Sequence, residues 1–169
     1  MTERLALVTG GASGIGREIC LGLARNGRKV AVADINLAGA QETQAMTTEA
    51  GATALAVQMD VSDSDAVHVG LLEVIDELGP VEVLVNCAGW DELMPFGNTD
   101  ESFWDRVIEI NYKGVLRTVH ACLPSMVDAG WGRIVNIGSD AGRVGSSFEA
   151  VYSGAKGGVI AFTKTVARE

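Results

Sequence analysis

Four polar residues carry the chemistry this chain can do: Asn111, Ser139, Tyr152 and Lys156. Tyr152 and Lys156 are four positions apart, so on a helix they share a face. There an ammonium would depress a phenol pKa whose ordinary value is about 10. A phenol tuned toward neutrality gives a proton to a carbonyl oxygen or takes one from an alcohol. Ser139 could hydrogen-bond the same oxygen, and Lys156 could also reach ribose hydroxyls. Asn111 is polar in the middle of an apolar-periodic segment, where it could interrupt the helical ladder and anchor a water near Lys156. Taken singly, a Tyr-x-x-x-Lys pair is common on exposed helices, and a lone asparagine commonly faces solvent.

The pair gains meaning from a second motif. Thr9-Gly10-Gly11-Ala12-Ser13-Gly14-Ile15-Gly16 follows an apolar run and opens into a helix. Gly10, Ser13, Gly14, Ile15 and Gly16 would let backbone approach a pyrophosphate, and a helix N-terminus offers unpaired N–H groups and a positive dipole end. A purely steric tight turn uses the same glycines. Asp34 closes the second apolar run, where a carboxylate could accept the adenosine ribose hydroxyls or cap the next helix. Ser13, Ile35 and Asn36 supply no positive charge for a 2'-phosphate, which favours NAD over NADP. Asp60 and Val61 could hold the adenine edge, although Asp60 could equally cap a helix. Asn86, Ala88 and Gly89 leave room for the cofactor ribose at the end of a fourth run, or simply end a strand at glycine.

These residues need elements to place them. Short apolar, β-branched runs at 5–8, 29–33, 54–59, 81–87 and 133–138 read as strands. Between them, helices are expected at 14–25, 37–50, 64–78, 101–128 and from Tyr152 to the last residue. The third carries Val67, Leu71, Val74, Ile75 and Leu78 on one stripe, with Ser62 and Asp65 placed as a capping box. The fourth carries Phe103, Val107, Val115, Val119 and Leu123 inward. The alternation predicts an α/β, doubly wound parallel sheet of Rossmann type, with ligands beyond the carboxyl ends of the strands.

Composition narrows the class. The chain has 169 residues, 47% of them hydrophobic, a size that suits one domain spanning residues 1–169. Its net charge of -9 and lack of a basic run argue against nucleic-acid binding. The N-terminal residues have neither the charge order nor the length of a signal peptide, and no apolar stretch approaches about 20 residues, so no membrane is expected and the reading is cytoplasmic. Cys20, Cys87 and Cys122 lack metal-ligand spacing and read as reduced, mostly buried thiols, with no metal.

Together the motifs resemble the short-chain dehydrogenase/reductase family over the whole chain. The turn at Thr9 to Gly16 fits its cofactor turn. Asn86-Cys87-Ala88-Gly89 fits its Asn-Asn-Ala-Gly element with Cys in second place, and Asn111, Ser139, Tyr152 and Lys156 fit its catalytic tetrad. The resemblance implies tyrosine as acid/base, serine orienting the substrate, lysine binding ribose and lowering the tyrosine pKa, and asparagine supporting a water relay. It implies NAD, a small-molecule alcohol or ketone substrate, and a homodimer or homotetramer in which the helices from Glu101 and from Tyr152 pair. It also implies further strands and a substrate loop beyond Glu169, so the sequence stops within the helix of Tyr152 and leaves the fifth strand as an apolar edge. A narrower similarity, in Ala88-Gly89-Trp90-Asp91 and between Gly138 and Tyr152, is to the 2-hydroxycyclohexanecarboxyl-CoA dehydrogenase branch, which acts on a β-hydroxyacyl thioester. A 3-oxoacyl thioester reductase or another small-alcohol dehydrogenase is the alternative enzyme, and a non-catalytic NAD-binding fragment is the alternative class.

Overall fold

The computed structural model describes residues 3–169; Met1 and Thr2, the start of the segment weighed as a leader, lie outside the described residues. The strands are β1 (Leu5–Thr9), β2 (Lys29–Asp34), β3 (Ala54–Gln58), β4 (Val83–Asn86) and β5 (Arg133–Asn136). All neighbours pair in parallel, in the order β3-β2-β1-β4-β5. The order reverses direction on the two sides of β1, which opens a crevice at the carboxyl ends of β1 and β4.

The inner strands are apolar through their centres because both faces are covered, with polar residues only at their ends, Thr9, Lys29, Asp34 and Asn86. Leu5, Leu7, Ala31, Ala33, Val57 and Leu84 join one core, built with α3 (Ser64–Leu78), α5 (Gly114–Asp128) and α7 (Ala150–Val166). Val8, Val30, Val32, Ala56 and Val85 face the other, toward α1 (Gly14–Arg25) and α2 (Leu37–Glu49). The edge strand β5 departs from this, with Val135 47% exposed. No helix among the described residues is long and apolar enough to cross a membrane.

Several boundaries differ from the sequence reading. α3 is capped by Asp63, whose Oδ1 accepts from the Asp65 and Ala66 amides, so the Ser62 and Asp65 box does not form. Ser62 turns instead to Asp60 Oδ1, donating from both amide and hydroxyl at 2.8 and 2.6 Å. The expected helix at 101–128 is three pieces: α4 (Glu101–Ile108), a π turn (Glu109–Lys113) and α5. Val107, Asn111 and Val115 are all buried on the inward face, and the π turn carries Asn111 between the two α-helical pieces. A short helix α6 (Ala141–Val144) precedes α7, which begins two residues before Tyr152.

Candidate active site

The glycine turn is built by contacts that only glycine permits. Gly10 adopts φ +70°, and a Cβ there would stand 2.7 Å from the Ala88 backbone. At Gly16 a Cβ would stand 2.0 Å from the Gly10 carbonyl oxygen. β1, β4 and the start of α1 therefore close to near contact. Thr9 tightens the junction, its hydroxyl accepting from the Cys87 and Ala88 amides. Ser13 precedes α1 with no side-chain cap, so the first amides of that helix remain available to an anion. Ser13, Gly14 and Ile15 are exposed at this opening.

Asp34 does two jobs at the end of β2: Oδ2 accepts from the Ala12 amide at 3.0 Å, and Oδ1 from the Asn36 amide at 2.9 Å. The cap of α2 is Asn36, not Asp34. A cavity of about 250 Å³ is lined by Gly10, Asp34, Asp60, Val61, Ala88 and Gly89, six of the residues expected at a nucleotide. Trp90, read from the sequence only as part of the Ala88-Gly89-Trp90-Asp91 resemblance, lines it too, as does Arg106, which sequence reasoning missed. Their signal is tertiary: the Arg106 guanidinium lies over the Trp90 ring, 3.7 Å from its centroid, and Phe103 meets the same ring edge-on.

Asn86 is committed elsewhere. It is 4% exposed; its Nδ2 donates to Asn136 Oδ1 at 2.8 Å and its Oδ1 accepts from the Thr118 hydroxyl at 2.7 Å. Asn136 continues the chain of bonds to the Thr163 hydroxyl at 2.9 Å. The Asn86 side chain thus ties β4, β5, α5 and α7 beneath the crevice, and a direct side-chain contact to a cofactor does not fit its geometry.

The four tetrad positions converge at the carboxyl ends of β4 and β5. Asn111 is fully buried in the π turn; its Nδ2 donates to the Val107 and Trp90 carbonyls, and its Oδ1 accepts from the Trp90 amide. This interrupts the helical ladder, as expected from its polarity. Lys156 is 4% exposed, and its Nζ donates to the Ile137 carbonyl at 2.9 Å. Gly89 borders both groups: a Cβ there would lie 3.0 Å from Asn111 Oδ1 and 4.0 Å from Lys156 Nζ. The Ser139 hydroxyl accepts from the Ala141 amide at 3.2 Å, fixing it at the start of α6.

One electrostatic expectation is overturned. The Tyr152 phenol is pushed up from its ordinary value, because burial disfavours its anion and Glu149 and Asp91 add repulsion, while Ser139 opposes. Lys156 lies over the phenol ring face, 5.6 Å from its centroid, and burial pulls its own pKa down. Lys156 is not among the groups that shift the phenol, and the net direction is upward. The Cys87 thiol is pushed up by burial, against the pull of Lys156, and Cys20 and Cys122 are pushed up to about 12, so all three are protonated thiols.

The comparisons with known proteins agree with this geometry. The family model described as short chain dehydrogenase matches residues 4–169. The chain is 40% identical to a 3-oxoacyl-(acyl-carrier-protein) reductase of Staphylococcus aureus, over 97% of this chain and 67% of that protein. It is 37% identical to a sorbitol dehydrogenase of Cereibacter sphaeroides, over 96% of this chain and 62% of that one. The solved structure of a Sinorhizobium meliloti 1021 protein described as a short-chain alcohol dehydrogenase superposes with a TM-score of 0.95 at 34% identity, covering 99% of this chain and 67% of the other.

Proposed function

The chain belongs to the short-chain dehydrogenase family and is an oxidoreductase of alcohol and keto groups; on that premise we propose that it uses NAD and acts on a β-hydroxyacyl or 3-oxoacyl thioester. The observation that carries the catalytic reading is the convergence of Ser139, Tyr152 and Lys156 beside the glycine turn, with Asn111 held in a π turn behind them.

The uncapped start of α1 and the cradle at Gly10, Gly16 and Gly89 fit a dinucleotide. When bound, the nicotinamide supplies or takes the hydride. The protein's part is proton handling and orientation. The Tyr152 hydroxyl gives its proton to the carbonyl oxygen in reduction and takes one from the alcohol in oxidation. The Ser139 hydroxyl hydrogen-bonds the same oxygen, which holds it near the phenol. Lys156, anchored on the Ile137 carbonyl, is placed to hold ribose hydroxyls and to supply positive charge as a tyrosinate develops. A water held by Asn111 and Lys156, the polar side chains bordering Gly89, would return the proton to solvent.

NAD is favoured over NADP by the carboxylate of Asp34, which keeps lone pairs for ribose hydroxyls and repels a 2'-phosphate. Arg106, the cation that shares the cavity, is engaged on the Trp90 ring. The thioester substrate is supported by the acyl-carrier-protein reductase relative and by the resemblance around Trp90-Asp91. The residues from the glycine turn to Lys156 would act as one cofactor-binding catalytic unit.

The test is a cofactor-linked absorbance assay of the purified protein with 2-hydroxycyclohexanecarboxyl-CoA, 3-hydroxybutyryl-CoA and sorbitol. Turnover of a thioester at least tenfold above sorbitol, in kcat/KM, supports the reading. A preference for sorbitol replaces the thioester with a polyol, and no turnover of any of them contradicts the proposal.

A further inference from the structure

Phe103 and Arg106 stand three positions apart on α4, so their side chains share one face of the helix. Both meet the ring of Trp90, which arrives from the loop after β4. Phe103 approaches it edge-on, with ring centroids 5.8 Å apart, and the Arg106 guanidinium lies over its face, 3.7 Å from the centroid. Arg106 forms no ion pair among the described residues, whereas Lys113 and Arg117 further along are both paired with Glu109. The indole face is the group that its charge attracts.

Trp90 in turn holds Asn111. Its amide donates to Asn111 Oδ1 at 3.3 Å, and its carbonyl accepts from Asn111 Nδ2. The remaining bond of that side chain runs to the Val107 carbonyl. Trp90 therefore supplies two of the three backbone groups that orient the Asn111 amide. The loop before it is tied to the sheet as far as Ala88, whose amide donates to the Thr9 hydroxyl. Gly89 lies between, and a glycine lets the chain pivot. The grip on the Trp90 ring makes up for that freedom. It comes from a helix that is firm at its start, where Asp100 Oδ1 accepts from the Phe103 amide and Trp104 Nε1 donates to the Thr99 hydroxyl. The contacts close a circuit: α4 holds the Trp90 ring, and the Trp90 backbone holds Asn111 in the π turn that follows α4.

We propose that Arg106 is a positioning residue for the proton relay: by stacking on Trp90 it fixes the backbone groups that orient Asn111, and so governs turnover without touching the substrate. This rests on the oxidoreductase reading above. With the stack removed, Trp90 swings about Gly89, Asn111 keeps only its bond to Val107, and the relay water loses a fixed partner.

The first measurement needs no turnover. Hydrogen exchange by NMR should show the Trp90 amide of Arg106→Ala exchanging at least threefold faster than in the wild type, about the scale of one cation on an aromatic face. The Leu7 amide, in the middle of β1, is the reference for global opening and should keep its rate. An unchanged Trp90 amide overturns the proposal, and so does equal acceleration of both amides, which marks a loss of overall stability.

The second measurement is kinetic, with whichever of the three assay substrates the wild type turns over fastest. At saturating NAD, Arg106→Ala should lower kcat at least threefold while the NAD dissociation constant stays within about twofold. A weakened NAD affinity with unchanged kcat would make Arg106 a cofactor contact instead. In an Asn111→Ala background the same substitution should change kcat by less than about twofold, because its effect runs through that amide. A full drop there would overturn the route through Asn111. If the wild type turns over none of the substrates, the oxidoreductase reading fails on its own, and exchange at the Trp90 amide decides whether Arg106 holds Asn111 in place.

Discussion

Asn111 and Lys156 both border Gly89: a Cβ added at that glycine would stand 3.0 Å from Asn111 Oδ1 and 4.0 Å from Lys156 Nζ. The first distance is tighter than ordinary contact, and Asn111 cannot retreat, because both ends of its amide are bonded to backbone. Gly89→Ala should therefore lower kcat about tenfold, roughly 1.4 kcal/mol in barrier, by crowding the space for the relay water. Steady-state kinetics with a melting curve checks it. Unchanged kcat in a well-folded variant would remove the relay from the mechanism.

The Asn86 side chain bridges Thr118 and Asn136, so its loss breaks both bonds and leaves Asn136 Oδ1 without this donor. Asn86→Ala should cost about 1–3 kcal/mol of unfolding free energy in urea titration. A loss confined to NAD affinity, with stability intact, would return Asn86 to the role of cofactor contact.

Much of this architecture was legible in the residues. The inner strands announce themselves as apolar runs because both faces are covered, and the glycine turn because its close approaches exclude any Cβ. Tyr152 and Lys156 were visible from helical spacing. What stayed hidden depends on partners distant in the chain. The pattern 103, 107, 115, 119 reads as one helix, because a π turn shifts the register by one residue without adding a breaker. Asn86 looked like a ligand contact because Thr118 and Asn136 are remote in sequence. Arg106 gains meaning only when the loop after β4 folds against α4 and brings Trp90 under its guanidinium. The expected effect of Lys156 on Tyr152 failed for a similar reason, since spacing says nothing of burial or of Asp91 and Glu149 nearby.

Cofactor choice follows from Asp34. NAD should bind at least tenfold better than NADP, about 1.4 kcal/mol. Asp34→Asn removes the charge but keeps an acceptor for the Ala12 amide, so the gap should narrow to below threefold. Fluorescence titration with both cofactors checks it. Equal affinities in the wild type would mean that Asp34 does not face the ribose.

The raised Tyr152 pKa makes a prediction of definite sign. The folded chain holds this proton more tightly than the unfolded chain does, relative to the ordinary value of 10.0. Its contribution to stability is therefore intact below pH 10.0 and is lost as pH climbs through the higher folded value. The chain has only 2 tyrosines, so the difference in ultraviolet titration between wild type and Tyr152→Phe isolates this phenol. The ligand-free protein should show a midpoint above 10.0; one below that value would contradict the account of burial and nearby carboxylates.

The assignment of Tyr152 as the acid/base is tested most directly by comparing turnover and NAD binding in wild type and Tyr152→Phe. Losing only the proton donor should lower kcat at least a hundredfold, the usual scale for a general acid or base, with the NAD dissociation constant within threefold of the wild type. A variant that keeps more than a tenth of the wild-type rate would contradict the assignment.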